Sequence, residues 1–314
     1  MIRRIAIFGM SAALLLAATG CQKPHPPLST IQPPEVVLAD YNTAAGRVPR
    51  LWARAQITYK ESATALPLTA AGLLTLQKPA DPTQPADFFL KFSEAGNEIG
   101  RLGVSTADGV YYAWFQVGDK QSCRWGQLAL AGAPGVKDMP IDPTQLPAVL
   151  SICQLPADPT RPPFVAQRIS FDPCAYVLTF VDRQPITGRF LFKREIYLHW
   201  STDQPRRAFR VDLLDENGLA VLSADLRNYQ PFAMEDVENT APPAEMPTDI
   251  LLRWRKTGGE LRLKLSNMTT ADRVDPEAYL FWDRLPRRLK SCAKQIDAHL
   301  SPADAPAVKG TPAP

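Results

Sequence analysis

The sequence predicts an α+β, mainly β fold: a curved antiparallel half-barrel of about 10–11 strands with covering helices. Three observations predict it. First, 31 of the 314 residues are Pro and only 17 are Gly. Pro is thus about a tenth of the chain, roughly twice ordinary usage. A long coiled coil or an all-helical bundle cannot absorb so many helix breakers. Gly is too scarce for a collagen-like chain. A 45% hydrophobic content is normal for a globular protein, so the Pro enrichment does not signal general disorder. Second, apolar residues between 49 and 267 recur mainly with a period of two. Third, three segments carry apolar residues at helical spacing, enough to cover the apolar face of a sheet.

The N-terminus, MIRRIAIFGMSAALLLAATGC, reads as an export signal. Arg3 and Arg4 form a positive start, and Ile5 to Ala18 form an apolar run too short for a comfortable membrane span. Ala18-Thr19-Gly20 then leads to Cys21. This resembles a bacterial lipoprotein signal, which implies cleavage after residue 20 and acylation of Cys21 by palmitate-type chains. Several buried acyl chains anchor firmly, at about 0.8 kcal/mol per CH₂. Gln22 is not the Asp that retains enteric lipoproteins in the inner membrane. The expected location is therefore the cell envelope, lipid-anchored at the outer membrane and facing the periplasm. Residues 21–34 form a Pro-rich tether with five Pro and little to bury.

Residues 35–300 are expected to form one domain, and residues 301–314 a disordered tail. Val37, Tyr41, Ala44 and Val48 predict a helix over 35–46, ended by Gly46 and Pro49. The period then changes to two. Leu51, Ala53, Ala55, Ile57 and Tyr59 alternate with polar residues, followed by Leu74-Leu76 and Phe88-Leu90-Phe92. Later alternations include Phe209-Val211-Leu213, Ile250-Leu252-Trp254 and Leu261-Leu263-Leu265. Hairpin turns are visible at 107–109, 215–218 and 257–259. A second helix is expected over 142–153, capped by Asp142 or Thr144. A third is expected over 286–300, with Leu285, Leu289, Cys292, Ile296 and Leu300 on one stripe and basic residues on the other faces. The outward strand positions carry Arg54, Lys91, Lys193, Glu195, Arg253 and Arg262, which argues against a transmembrane barrel.

This order of elements is similar to the LolA/LolB-like superfamily of bacterial outer-membrane lipoprotein carriers, including its uncharacterised envelope lipoproteins. The resemblance rests on the helix-to-strand opening DYNTAAGRVPRLWARAQITYK and on GLLTLQKPADP. It continues through DFFLKFSEAGNEIGRLGVSTADGVYYAWF and WGQLALAGAPGVKDMPIDPTQLPAVLSI, and ends in RAFRVDLLDENGLAVLSADLRNY and DILLRWRKTGGELRLKLSN. It covers about residues 35–270. The resemblance implies a sheet whose concave apolar face lies under a helical lid. The Pro-rich insert at 154–163 and the extension after 270 depart from the pattern.

With 35 basic and 32 acidic residues, the chain offers no global case for nucleic acid. The only histidines are His25, His199 and His299, and no nucleophile elbow, phosphate-cradling loop or zinc motif accompanies them. A non-catalytic protein without metal or cofactor is expected. Its concave face is expected to bind a hydrophobic ligand such as acyl chains. The expected lining is Leu51, Ile57, Leu74, Leu76, Phe88, Leu90, Phe92, Phe209, Val211, Ile250, Leu252 and Trp254. The other reading is a structural or protein-interaction lipoprotein of the envelope, its partner unspecified, in which these side chains fill a core. Beyond Cys21, Cys123, Cys153, Cys174 and Cys292 allow two bridges in three pairings, or free thiols.

Overall fold

A computed structural model of the chain describes residues 31–79, 84–117, 120–131, 139, 142–158, 163–183, 190–200, 206–232, 234, 243–270 and 276–300. The expected signal peptide 1–20, Cys21, most of the tether and the tail 301–314 lie outside the described residues.

The chain enters through α1 (Pro34–Gly46). Pro34 opens it, where a missing N–H removes no intrahelical bond. Val37, Tyr41 and Ala45 recur every fourth residue and are buried. Ala45, rather than the expected Ala44, is the third inward residue.

Six strands follow as a meander: β1 (Arg50–Lys60), β2 (Leu68–Gln77), β3 (Asp87–Glu94), β4 (Asn97–Ser105), β5 (Val110–Val117) and β6 (Lys120–Gln127). Short 3₁₀ turns at Leu128–Leu130 and Pro143–Gln145 lead to the one-turn helix α2 (Leu146–Val149). A second meander comprises β7 (Phe164–Phe171), β8 (Cys174–Arg183), β9 (Phe190–His199), β10 (Ala208–Leu214), β11 (Ala220–Phe232), β12 (Ala244–Trp254) and β13 (Gly259–Thr269). Gly109, Gly218 and Gly258 take positive φ in the three expected hairpin turns, a conformation open to Gly without steric penalty.

β13 returns to pair antiparallel with β1, Ile57 standing opposite Leu263. This joins the meanders into one open sheet of order β6-β5-β4-β3-β2-β1-β13-β12-β11-β10-β9-β8-β7, with a last strand, β14 (Ala293–Gln295), added parallel to β6. One core gathers inner residues from strands as distant as β5 (Tyr111) and β8 (Leu178), together with Tyr41 of α1 and Val149 of α2. An open sheet reaches both sides of one cluster by curving around it.

The structure corrects four expectations. Among the described residues the sheet has fourteen strands, not ten or eleven, and one of them, β14, falls in a segment read as helix. The covering helices are minor. The expected helix over 142–153 is a 3₁₀ turn plus the four residues of α2. The expected helix over 286–300 is α4 (Arg287–Lys290) followed by β14, with α3 (Phe281–Arg284) before it. Its stripe divides between the two faces of the sheet: Leu285 and Leu289 pack outside, whereas Ile296 joins the inner core. The chain crosses the sheet edge between them as β14, so regular spacing there reflects a wrap rather than a helix.

Fourth, the outer face is not uniformly wet. Val110, Tyr112, Trp114 and Cys123 lie beneath Phe281, Leu285 and Leu289. Tyr112 stacks on Phe281 at 4.6 Å, and the Phe281 N–H donates to Asp108 at 2.6 Å. Arg101 holds Glu98 through two bonds and donates to the Ala278 carbonyl at 2.9 Å. Asp297, fully buried, accepts from the Gln127 N–H at 2.6 Å. Elsewhere the outer face carries cross-strand ion pairs, such as Arg168–Glu195 and Arg253–Asp225.

Candidate functional site: a cavity at the rim of the sheet

Ten of the twelve expected lining residues sit in the inner core: Leu51, Ile57, Leu74, Leu76, Phe88, Leu90, Phe92, Val211, Ile250 and Leu252 are each 2% exposed or less. They pack against one another and the helices. Trp254 is half-buried at the edge of this core and borders a separate cavity of about 340 Å³.

Phe209 faces the other way. It packs outside with Ala175, Val177 and Tyr197, its ring 6.2 Å from that of Tyr197. The cause is a bulge: Ala208 pairs with Leu198, but Arg210 pairs with the next residue, Tyr197. The extra residue on β10 breaks the period of two, so Phe209 and Val211 do not share a face.

A larger cavity, about 600 Å³, lies at the rim where α1 ends and β1 and β2 begin and end. Its wall draws on Gly46, Arg50, Gln77, Lys78, Val104, Leu128, Ala148 and Cys153. No residue of the expected lining set belongs to it. Its size falls in the range of small-molecule pockets, about 300–1,000 Å³.

Local bonding builds this rim. Asp142 caps the turn into α2, its carboxylate accepting from the Thr144 N–H at 2.9 Å and hydroxyl at 2.6 Å. Leu146, Val149 and Leu150 then bury against the sheet. The segment after α2 is fastened to α1. The Tyr41 hydroxyl donates to the Cys153 carbonyl at 3.0 Å and accepts from Ser151 at 3.3 Å. Asn42 donates to the Leu155 carbonyl at 2.8 Å and accepts from the Leu155 N–H at 2.7 Å. Each such bond contributes about 1 kcal/mol net.

Lys78 is the group that gives the cavity its electrostatic character. Its N–H donates to Pro49 at 2.9 Å, closing the β1–β2 ladder. Its ammonium donates to the Ala45 carbonyl at 2.7 Å, at the C-terminal end of α1, where a cation suits the helix dipole. No carboxylate partners it among the described residues. Burial lowers its pKa to about 8. Cys153 also lines the wall, and burial pushes its thiol up despite the positive charges of Arg194 and Lys78. Arg194 faces inward on β9, 9% exposed, over the Phe180 ring at 5.2 Å. Its Nε has no hydrogen-bond partner among the described residues.

Sequence reasoning passed over this site. Lys78-Pro79 was visible as the end of a strand in LTLQKP, but period-two alternation directs attention to inward apolar residues and not to the polar residue at a strand's end. The four body cysteines are free thiols, Cys123 buried and Cys292 exposed. Among the described residues no group of three or more His, Cys, Asp and Glu could hold a metal ion. His199 lies on the outer face against Phe209, rings 4.7 Å apart.

No family model and no curated protein matches the sequence. Among solved structures, the chain is similar to an outer membrane lipoprotein-sorting protein domain from Vibrio parahaemolyticus, at 11% identity and a TM-score of 0.49, over 77% of this chain and 95% of that one. It is similar to a DUF1329 family protein from Desulfovibrio piger, at 10% identity and a TM-score of 0.46, over 79% and 98%. A LolA superfamily protein from Nitrosomonas europaea matches at 10% identity and a TM-score of 0.42, over 78% and 97%.

Proposed function

We propose that this chain is a lipid-anchored lipoprotein of the bacterial envelope that binds a hydrophobic ligand without catalysis. Residues 1–20 direct export, acylated Cys21 holds the membrane at its outer-membrane, periplasm-facing side, and the tether 21–34 spaces the domain from the bilayer. The rim cavity carries the binding reading: about 600 Å³ between sheet, α1 and α2, with Val104, Leu128, Pro147 and Ala148 in its wall. Burial of an acyl chain there gains about 25 cal/mol per Å² of apolar area. The test is native mass spectrometry of protein purified gently from bacterial envelopes. Co-purifying lipid, lost when Ala148→Trp obstructs the cavity, supports the reading; ligand-free protein that also binds no added acyl chain overturns it.

A second reading has its own observation. The inner face is filled by its own side chains, as a structural or protein-interaction lipoprotein requires. Ligand-free protein with a specific envelope partner captured by cross-linking in intact cells would favour that reading.

A further inference from the structure

We infer that the rim cavity selects amphiphiles with an anionic head, which it holds at Lys78 while the chain runs over the apolar wall. The inference rests on the ligand-binding reading above and narrows its ligand class.

Charge in the wall points this way. Among the described residues the wall contains two cationic side chains, Arg50, which already has a partner, and Lys78, and no Asp or Glu. Lys78 has three N–H donors, and the Ala45 carbonyl takes one. The remaining two have no carboxylate among the described residues. A half-buried ammonium without a counter-charge is unfavourable, and an anionic head supplies one. Behind the wall Arg194 adds a second positive charge near Cys153, its Nε without a hydrogen-bond partner among the described residues. The acid beside the wall, Asp142, is engaged by Thr144, and burial raises its carboxyl pKa. Gln77 and Gln154 add polar groups at the same wall, and Val104, Leu128, Pro147 and Ala148 offer apolar surface beside them. A neutral head would leave the ammonium uncompensated, and a cationic head would be repelled.

The probes are four amphiphiles of one chain length: laurate, dodecyl phosphate, dodecanol and dodecyltrimethylammonium. Each is titrated calorimetrically at pH 7, below its aggregation concentration, into the full chain carrying Cys21→Ser. Laurate and dodecyl phosphate are expected to bind at least about tenfold more tightly than dodecanol, with the ammonium amphiphile weakest. Lys78→Gln should bring laurate and dodecanol to similar affinity, and Lys78→Arg should keep the preference. Circular dichroism and melting of each variant check the fold; Arg50→Gln is the second route if Lys78→Gln does not fold, and should also shrink the preference. Equal binding of laurate and dodecanol overturns the inference and leaves the hydrophobic-ligand reading standing. A preference that survives Lys78→Gln in a folded protein overturns the assignment to Lys78. If none of the four binds, both the inference and the reading beneath it fail.

Discussion

The middle of the sheet and its rim solve opposite problems with the same strands. At the middle, Ile57, Leu74, Leu90, Ile250 and Leu252 are fully buried in one core. At the rim, strands β1 and β2 end in Arg50, Gln77 and Lys78, and α1 ends in Gly46; these polar and small residues border open volume. The difference teaches that an apolar stripe marks where a sheet buries its surface, and a ligand needs the place where that burial stops.

Four changes would break or sharpen this contrast. The largest effect belongs to the middle. Leu74→Ala should cost about 3 kcal/mol of stability in urea unfolding, since a tightly packed core collapses only partly around the void. Binding of laurate should change little. If Leu74→Ala weakened laurate binding as Ala148→Trp does, the two regions would be one site.

A smaller effect is expected at the fastening of α1. Tyr41→Phe removes the hydroxyl shared by the Cys153 carbonyl and Ser151. Urea unfolding should show a loss of about 1 kcal/mol. No loss would mean that the Asn42–Leu155 bonds and packing hold the segment after α2 without this hydroxyl.

Lys78 gives a pH signature. In the folded chain burial lowers its pKa to about 8 from an ordinary 10.5. Between those values the unfolded chain binds more protons at this residue, so the Lys78 contribution makes stability rise with pH. Subtracting the Lys78→Met profile from the parent profile between pH 8 and 10 should leave an upward slope. A flat difference would mean that the ammonium is well solvated and the rim is wetter than the structure shows.

The smallest effect lies on the outer face. Arg262 donates to the Asp249 carboxylate at 2.9 and 2.7 Å, and this bonding holds the Asp249 carboxyl below the usual range. Carbon NMR titration of Arg262→Gln should show that carboxyl moving back up toward the usual range while the melting temperature stays put. A large drop in melting temperature would assign the outer ion pairs a structural weight that exposed pairs rarely have.

The inner face was legible because its signal is local. In β1 the residues at 51, 53, 55 and 57 point inward, and the register shift between Trp52 and Arg54 puts its extra residue on β13, so spacing along β1 alone placed them. Helix α1 was legible for the same reason, bounded by Pro34 and Gly46. Phe209 was misplaced because one extra residue in β10 shifts the phase, and nothing in AFRVDLL reports the pairing partner. The C-terminal wrap was misread because Leu285, Leu289 and Ile296 fit a helical stripe while packing on two faces of a sheet that only tertiary structure supplies. The rim cavity was not legible at all: Gly46, Lys78, Val104 and Cys153 are far apart in sequence and meet only after the sheet curves.

The central claim is that a ligand enters at the rim and not on the packed inner face. Laurate binding to the full chain carrying Cys21→Ser, compared with the same chain carrying Ala148→Trp or Leu74→Ala, tests it most directly. The account predicts that Ala148→Trp abolishes binding and Leu74→Ala leaves the dissociation constant within about twofold. Binding that survives the tryptophan but is lost with Leu74→Ala would contradict it and place the ligand on the inner face.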